Sequence, residues 1–406
     1  MSRKYSVIII SILIFWMIFA PKAAIIPDTT ISGWITNFIS LFLLWYLRYD
    51  LKYIFVGKNK TFNILLLTYL AVSVYSVYYN ADTISKFELS PLMVEDEKLP
   101  QAVTSVRHIL YYSIGLFASS LYIQKIANTI HIRTLLITIF ILLLIVLVPS
   151  YIEVFTTPIG DVDLVEYSVG NKFTIGYYHL YLCTIYYLLF PCLDSTKQKL
   201  GLLFLIASMA ILSNVSQCST MIMAAFVFLF FSFLIPDTWR NNLASAKVIL
   251  ISVLVFGIGF FFLASGILQY DFIQYFIKDV LGEDITLTGR LQIFEDIQEA
   301  FTDSPWVGLG YGNSIVISRY YTDAYDSQNG LIELFIQVGV VGVAAFLSLL
   351  YNASKTFEKN AIVKYSFVAF MYAMIAIATI EIPYKFNFIF FLSFCFIQNK
   401  SYQRPL

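Results

Sequence analysis

Long apolar segments, separated by short polar connections, run along almost the whole chain. A bilayer core about 30 Å thick is crossed by about 20 apolar residues in a helix, and a helix satisfies its own backbone hydrogen bonds in lipid. The pattern therefore predicts an all-α polytopic membrane protein with about twelve transmembrane helices. The predicted spans cover residues 5–24, 31–47, 62–80, 103–123, 134–152, 175–193, 200–214, 218–235, 247–269, 329–350, 361–380 and 384–398.

One connection is much longer than the others. Residues 270–328, between the ninth and tenth predicted spans, are too long for a hairpin, and loops of this size are usually functional or disordered. Apolar residues at helical spacing in 271–281 predict a helix that lies on the bilayer surface. A second amphipathic helix is predicted to begin after an N-cap at Thr288 and to end at Asp303. We expect a single integral membrane domain, residues 1–406, that contains this loop.

The distribution of charge predicts the orientation. With the N-terminus inside, most of the 26 Lys and Arg residues fall at the termini or in the connections that follow even-numbered spans. Lys and Arg mark the cytoplasmic side of membrane proteins, whereas acidic residues contribute little to topology. We therefore expect both termini in the cytoplasm and the 270–328 loop on the opposite side.

Composition excludes several classes of protein. Hydrophobic residues make up 59% of the chain and charged residues 13%, against about 25% charged in soluble domains. The net charge is zero and there is no basic tract, so we expect no nucleic-acid partner. The four cysteines form no CxxC pair and the three histidines do not cluster, so we expect no metal site and no cofactor. Asp161-Val162-Asp163 resembles a metal-binding Asp-x-Asp, but an acidic solvated loop explains it better.

Four short motifs follow one another in the second half of the chain. They are Thr288-Gly289-Arg290-Leu291-Gln292-Ile293-Phe294, Pro305-Trp306-Val307-Gly308-Leu309-Gly310-Tyr311-Gly312, Ser327-Gln328-Asn329-Gly330 and Gly339-Val340-Val341-Gly342. In this order they resemble the signature of the O-antigen ligase/polymerase superfamily. The resemblance implies a glycosyltransferase that acts on a lipid-linked diphosphate at the outer face of the bacterial cytoplasmic (inner) membrane.

Arg290 is the first candidate catalytic residue. It falls in the first turn of the helix predicted after Thr288, where the helix dipole already creates positive potential. A cation there is unfavourable by up to about 1 kcal/mol unless an anion joins it, and the two-pronged guanidinium suits a phosphate. An exposed Arg290 paired with Glu295 is the alternative. The resemblance implies that Arg290 contacts the diphosphate of the lipid carrier.

Gln328-Asn329 departs from the pattern of the ligase branch, which has His-Asn at this place. That His is proposed to activate the acceptor, and a Gln cannot accept a proton near neutral pH. The departure favours a polymerase, with Gln328 and Asn329 binding substrate. Gly310 is a further substrate-binding candidate, since Gly-x-Gly-x-Gly predicts a tight turn with close backbone approach.

A second departure concerns the cation that would share the diphosphate with Arg290. Many relatives carry an Arg near a Ser where this chain has Gln217-Cys218-Ser219-Thr220, without a cation. We expect Gln217 to contact substrate and Arg107, near the outer end of the fourth span, to supply the second positive charge. Snorkelling of Arg107 to the outer headgroups is the alternative. Arg319, in the long loop, is a less specific candidate.

Candidate general bases are His179, Glu333, Asp326 and Glu381. His179 resembles a histidine found in some capsule polymerases, and histidine alone titrates near neutrality without perturbation. A packed histidine on an apolar helix is the alternative. Glu381 is assigned here chiefly to substrate binding.

The candidate residues come from different spans, yet the orientation places all of them near the outer leaflet. They are Arg107, His179, Gln217, Gln328, Glu333 and Glu381. We predict that these residues and Arg290 line one polar cavity that faces outward.

The resemblance implies the reaction and its partners. A growing glycan on undecaprenyl diphosphate would be the donor, and an undecaprenyl-diphosphate-linked oligosaccharide repeat unit the acceptor, with inversion at the anomeric carbon. Membrane lipid is a partner of every span, and further candidate partners are a chain-length regulator and a flippase. The alternatives are a ligase that transfers glycan to lipid A core or protein, and a lipid-linked oligosaccharide flippase.

Overall fold

The computed structural model describes residues 3–19, 29–57, 59–88, 104–156, 167–259, 270–275, 293, 296–322, 324, 326–360 and 363–398. Within these ranges every regular element is a helix, apart from one isolated β-bridge between Tyr167 and Gly170. The helices are α1 (Arg3–Phe19), α2 (Thr29–Tyr46), α3 (Lys60–Tyr79), α4 (Ala81–Glu88), α5 (Val106–Ile126), α6 (His131–Thr156), α7 (Lys172–Leu189), α8 (Thr196–Val215), α9 (Ser219–Leu229), α10 (Asp237–Leu243), α11 (Ala246–Leu254), α12 (Asp271–Tyr275), α13 (Gln298–Asp303), α14 (Ser314–Tyr321), α15 (Gly330–Glu358), α16 (Lys364–Ala378) and α17 (Phe386–Leu392).

Shorter helical turns extend several of these helices. A π-helical turn continues α9 over Phe230–Leu234, and another continues α11 over Val255–Gly259. A 3₁₀ turn continues α17 over Ser393–Phe396. The predicted positions 161–163 and 288–290, Arg290 among them, lie outside the described residues.

Each of the twelve predicted spans contains one of these helices. In the described part of the chain, α3, α6, α8 and α15 are long and apolar enough to cross a membrane. Helices α10 and α11 are bent by 69° and make a fifth candidate if they are counted as one span. The all-helical architecture is therefore confirmed, whereas the number of twelve spans stays a prediction.

Aromatic rings fill the space between the helices. Helix α15 packs along α3 and α11, and α9 packs against α8 and α16. Tyr181 of α7 stacks on Phe391 of α17 with ring centroids 4.4 Å apart, and Phe357 of α15 stacks on Phe367 of α16 at 3.7 Å. Because lipid tails are as apolar as these side chains, close packing and van der Waals contact hold such helices together.

The connections that were predicted to share a side of the membrane contact one another. At the predicted inner end, Lys125 forms a salt bridge with Asp50 at 2.7 Å, and Glu358 accepts a hydrogen bond from the Ala246 backbone N–H at 3.2 Å. At the predicted outer end, the Thr104 hydroxyl donates to the Gly312 carbonyl at 3.0 Å. These contacts agree with the alternating topology, which stays a prediction together with the side that faces the cytoplasm.

A native cysteine tests this orientation. Cys192, in the turn between α7 and α8, is exposed, while the other three cysteines are buried. Because Cys192 lies at the predicted cytoplasmic end of the sixth span, a membrane-impermeant maleimide should label it only after the cells are permeabilised. Partial burial and the neighbouring Asp194 raise the pKa of Cys192, so the thiolate fraction, and with it the labelling rate, should increase as the pH rises.

The matched control places a cysteine at the predicted outer end. Lys86 is exposed on α4, and a K86C chain that also carries Cys192→Ser should react in intact cells. If Cys192 reacted in intact cells and K86C did not, the orientation would be the opposite of the predicted one.

A second, smaller hydrophobic core lies at the predicted outer end of α15. Helices α4, α13 and α14 and the first turns of α15 meet there around buried residues such as Ile84, Ile317 and Ile332. The Tyr321 hydroxyl donates to the Asp303 carboxylate, and burial together with this bond raises the pKa of Tyr321. Residues of the 270–328 loop from Ile297 to Tyr321 therefore pack onto the bundle, whereas Phe272 and Tyr275 of α12 are exposed. Helix α4 was not predicted, since it is a short amphipathic helix with a small apolar face.

Helix α15, which covers most of the span predicted at 329–350, is interrupted at one residue. At Gly339 the backbone has φ 62° and ψ −172°, which interrupts the helix within the Gly339-Val340-Val341-Gly342 motif. The span predicted at 329–350 is therefore present as part of α15, with an interruption that the sequence analysis did not predict. Such conformations are accessible almost exclusively to glycine.

The glycine-rich segment after Pro305 fills the break. The N–H groups of Leu309 and Gly310 donate to the carbonyls of Ile336 and Gln337 at 2.6 and 3.0 Å, and the Val340 N–H donates to the Pro305 carbonyl at 2.9 Å. These bonds satisfy the backbone groups that the interruption would leave unpaired in the membrane protein's interior.

The two backbones approach so closely that side chains are excluded. A Cβ at Gly308 would lie 2.4 Å from the carbonyl carbon of Gln337, and a Cβ at Gly339 would lie 2.4 Å from that of Trp306. The glycines of two motifs that are separate in sequence therefore serve one contact.

Candidate functional site

The turn that begins α15 is tied to two other helices by Asn329. The Asn329 Oδ1 accepts hydrogen bonds from the N–H groups of Leu331 and Ile332 at 3.1 and 3.0 Å, as an N-cap does. Its Nδ2 donates to the carbonyls of Gly257 and Thr379 at 3.1 and 3.3 Å. Asn329 is fully buried, so the predicted contact with substrate would have to replace one of these bonds.

Gln328 has an unusual backbone conformation just before this cap. Its φ is 49°, in the left-handed region that residues other than glycine rarely occupy, and its N–H donates to Asp326 Oδ1 at 2.9 Å. The Gln328 side chain is half-buried, and its Oε1 has no hydrogen-bond partner among the described residues. The left-handed backbone thus places the Gln328 side-chain amide, whose Oε1 accepts no hydrogen bond from the described residues, at the N-terminus of α15.

Several charged groups surround Tyr177 of α7 at the same end of the bundle. The carboxylates of Glu381 and Asp326 lie close enough to interact electrostatically with the Tyr177 hydroxyl. The Lys385 Nζ lies 6.0 Å from the centre of the Tyr177 ring. The turn that carries Glu381 and Lys385 also packs on the head of α15, where a Cβ at Gly330 would meet the Glu381 carbonyl oxygen at 3.2 Å. Two predicted site residues, Asp326 and Glu381, therefore lie at the same end of the bundle, within electrostatic range of Tyr177.

Gln217 lies beside Lys172 at the N-terminus of α7. The Gln217 backbone has φ 51°, its side chain is exposed, and its carbonyl accepts a hydrogen bond from Lys172 Nζ at 3.3 Å. Lys172 also lines a small cleft between α7 and α8 whose wall includes His179 and Ser213. Lys172 thus supplies a positive charge beside the Gln217-Cys218-Ser219-Thr220 motif, which itself contains no cation.

Glu333 is almost completely buried in the first turns of α15, with 1% of its surface exposed. Its Oε1 accepts a hydrogen bond from Gln337 Nε2, and its Oε2 accepts one from the Ser327 N–H at 3.3 Å. Both oxygens are therefore used within the protein.

His179 is a buried histidine with both ring nitrogens engaged. The Tyr151 hydroxyl lies 2.8 Å from Nδ1, and the Leu205 carbonyl oxygen lies 2.9 Å from Nε2. Since a carbonyl can only accept, Nε2 carries the proton and Nδ1 accepts from Tyr151. To serve as a base, His179 would have to give up the Tyr151 bond, so the geometry favours the alternative of a packed histidine.

The candidate arginines are placed differently. The Arg107 guanidinium lies 4.3 Å from the centre of the Trp34 ring, and both residues are exposed on the surface of the bundle. This position fits the interfacial alternative for Arg107, since arginine and tryptophan both favour the headgroup level. Arg319 is half-buried near the C-terminal end of α14, one of the helices that form the smaller hydrophobic core. The position of Arg290 stays a prediction.

Gly310 has a structural role in the described fold. Its φ is 122°, and its N–H is bonded to the Gln337 carbonyl in the break of α15. The predicted close backbone approach is present, but the approaching group is the protein's own helix. The contacts of Gly310 thus do not support its predicted role in binding substrate.

A family model was found to match the region that contains most of these features. Residues 202–347, from α8 to beyond the break in α15, match the family described as O-antigen ligase. This match confirms the predicted resemblance to the O-antigen ligase/polymerase superfamily. No curated protein and no solved structure shows significant similarity to it.

The residues that match the O-antigen ligase family include only part of the candidate site. Gln217, Arg290, Arg319, Asp326, Gln328 and Glu333 lie within the matched residues. Tyr177, Glu381 and Lys385 lie outside them and reach the same end of the bundle only through the fold.

Three residues at or near the site were not predicted, namely Lys172, Lys385 and Gln337. A signal existed for the two lysines, because Lys172 lies in a connection predicted to be outside and Lys385 lies at the outer end of the twelfth predicted span, where cations are scarce. Gln337 follows Glu333 by one helical turn, a spacing that places both side chains on one face.

Proposed function

We propose that this membrane protein is a polymerase of lipid-linked oligosaccharide repeat units, working at the outer face of the bacterial cytoplasmic membrane. The observation that carries the choice of a polymerase is Gln328, which stands where the ligase branch of the superfamily has a histidine. A side-chain amide can orient a hydroxyl but cannot take its proton. Its left-handed backbone and unused Oε1 at the head of α15 support a role in orienting an acceptor.

The proposed reaction is a single displacement. A hydroxyl oxygen of the incoming repeat unit attacks the anomeric carbon of the growing glycan, and the bond from that carbon to the diphosphate breaks. The electron pair leaves with undecaprenyl diphosphate, and the hydroxyl proton passes to a carboxylate or to water. Configuration at the anomeric carbon is inverted.

The negative charge that grows on the leaving diphosphate needs positive charge beside it. We assign this role to Arg290, with Lys385 as a further cation at the Tyr177 cluster. Arg107 stacks on Trp34 at the surface and fits this role less well than the sequence alone indicated. Preorganised charges of this kind usually make the largest single contribution to catalysis.

The acceptor hydroxyl needs a group that takes its proton. Among the candidate bases we favour Asp326 and Glu381, because they share the Tyr177 cluster with Lys385. His179 and Glu333 use their acceptor atoms in bonds within the protein. A general base would contribute about 10²- to 10⁴-fold to the rate.

A ligase is the second candidate, because the matching family is described as O-antigen ligase. It would use the same donor and leaving group, and a lipid A core or a protein would be the acceptor.

Deletion of the gene, followed by electrophoresis of the surface glycan, tests the proposal. For a polymerase, long chains should disappear while a single repeat unit stays attached, and a plasmid copy of the gene should restore the ladder. Long chains that accumulate without attachment would instead identify a ligase. Glycan held on the cytoplasmic side would identify a flippase.

A further inference from the structure

A buried amide, Gln337, connects two segments of the outer loop. It lies in the last turn of α15 before the break at Gly339 and is 7% exposed. Its backbone carbonyl accepts from the Gly310 N–H at 3.0 Å, and its Oε1 accepts from the Gly312 N–H at 2.9 Å. Gln337 therefore holds the glycine-rich segment through both its main chain and its side chain.

The Gln337 side chain also hydrogen-bonds toward the N-terminus of α15. Gln337 Nε2 donates to Glu333 Oε1, and Glu333 Oε2 accepts from the Ser327 N–H at 3.3 Å. Ser327 directly precedes Gln328, whose left-handed backbone is the strained part of the site. One chain of hydrogen bonds thus runs from Gly312 through Gln337 and Glu333 to Ser327.

We infer that Gln337 is a positioning residue that, through the Glu333 carboxylate, fixes the conformation of the Ser327-Gln328-Asn329 turn for acceptor binding. The inference rests on the proposed function, since it assigns a task to the same turn. A left-handed glutamine persists only when its surroundings hold it, and Asn329 and Glu333 supply bonds on either side of it. Glu333 in this arrangement supports the turn and does not remove the acceptor's proton.

The alternative, in which Glu333 is itself the general base, makes an opposite prediction for an exchange of the two side chains. In an E333Q/Q337E chain, the carboxylate introduced by Q337E still accepts from the Gly312 N–H. The amide introduced by E333Q donates to that carboxylate and accepts from the Ser327 N–H with its single oxygen. All three hydrogen bonds are kept, while the carboxylate moves one helical turn away from its original place.

The experiment compares the single variants with the exchange. Gln337→Leu leaves the Gly312 N–H without its acceptor and Glu333 Oε1 without its donor, and Gln337→Glu places two carboxylates one turn apart. Each should lower repeat-unit polymerisation in membranes about tenfold or more, mainly through a higher KM for the acceptor repeat unit. The E333Q/Q337E chain should recover most of the activity.

A matched control changes an amide at the other end of the bundle. Gln124 Nε2 donates to Asn63 Oδ1 at 2.7 Å, and Gln124→Leu removes a comparable bond at the predicted inner end. At equal amounts of folded protein, Gln124→Leu should leave the KM for the acceptor unchanged.

Two results would overturn the inference. Wild-type activity in both single variants would show that the connection is not needed. An inactive E333Q/Q337E chain that accumulates folded protein at the wild-type level would favour Glu333 as a base, and one that fails to fold would show that the exchanged side chains do not reproduce the connection. Neither result touches the proposed function, which instead fails if the deletion strain keeps its long glycan chains.

Discussion

Replacement of Arg290 by alanine is expected to abolish long glycan chains and to leave lipid-linked single repeat units in the membrane. The guanidinium is proposed to meet the charge that develops on the departing diphosphate, and loss of one preorganised donor of this kind lowers kcat by about 10²- to 10³-fold. Arg290→Lys should retain part of the activity, because lysine keeps the charge but not the two-pronged geometry. The measurement is electrophoresis of surface glycan together with extraction of the lipid-linked intermediates.

The control for this variant is Arg48→Ala. Arg48 is exposed at the predicted inner end and stacks on Trp45, with its guanidinium carbon 4.5 Å from the ring centre. Its loss removes the same charge from the opposite end of the bundle, so normal chains are expected. Normal long chains in Arg290→Ala would refute the role of Arg290, as would labelling of R290C only from the cytoplasmic side.

Replacement of Gly339 by alanine is expected to destabilise the whole outer half of α15. The φ of 62° and ψ of −172° at this position alone make a side chain unfavourable by about 1 to 3 kcal/mol. The new Cβ would also lie 2.4 Å from the Trp306 carbonyl carbon, in backbone that cannot move without breaking the bonds across the gap. The midpoint of thermal unfolding in detergent should fall by several degrees or more, and less folded protein should accumulate.

Gly33 provides the matched control. It lies in α2, and a Cβ there would meet nothing within 4 Å. Gly33→Ala should therefore be neutral or slightly stabilising, since alanine is the better helix former. Equal stability of the two variants would contradict the account of the break in α15.

Much of the helical framework was predictable because burial in lipid demands long apolar helices. Every predicted span contains a helix, and the connections assigned to one side contact one another, as Lys125 and Asp50 do. The resemblance to the O-antigen ligase/polymerase superfamily was equally predictable, since it rests on short motifs in a set order. The family match over residues 202–347 confirms it.

The individual side chains of the site were much less predictable. His179 was weighed as a base, but Tyr151 and Leu205, from two other helices, occupy its ring nitrogens. Arg107 was expected in the cavity, and its stacking partner Trp34 lies on the surface of the bundle. A polar side chain on an apolar helix carries no sign of which neighbouring helix will meet it.

By itself, the sequence determined that the protein lies in a membrane, that it is all-helical, and that it resembles the O-antigen ligase/polymerase superfamily. Hydropathy and contiguous motifs, which carry these conclusions, are properties of local stretches of chain. Only the tertiary structure decided that α15 is broken at Gly339, that the Pro305 to Gly310 segment fills the gap, and that Gln337 and Glu333 connect that segment to Ser327. These features depend on backbone and side-chain groups that are distant in sequence and satisfy one another's hydrogen bonds where water is excluded. No local pattern of residues encodes such a pairing, and the fold alone brings the partners together.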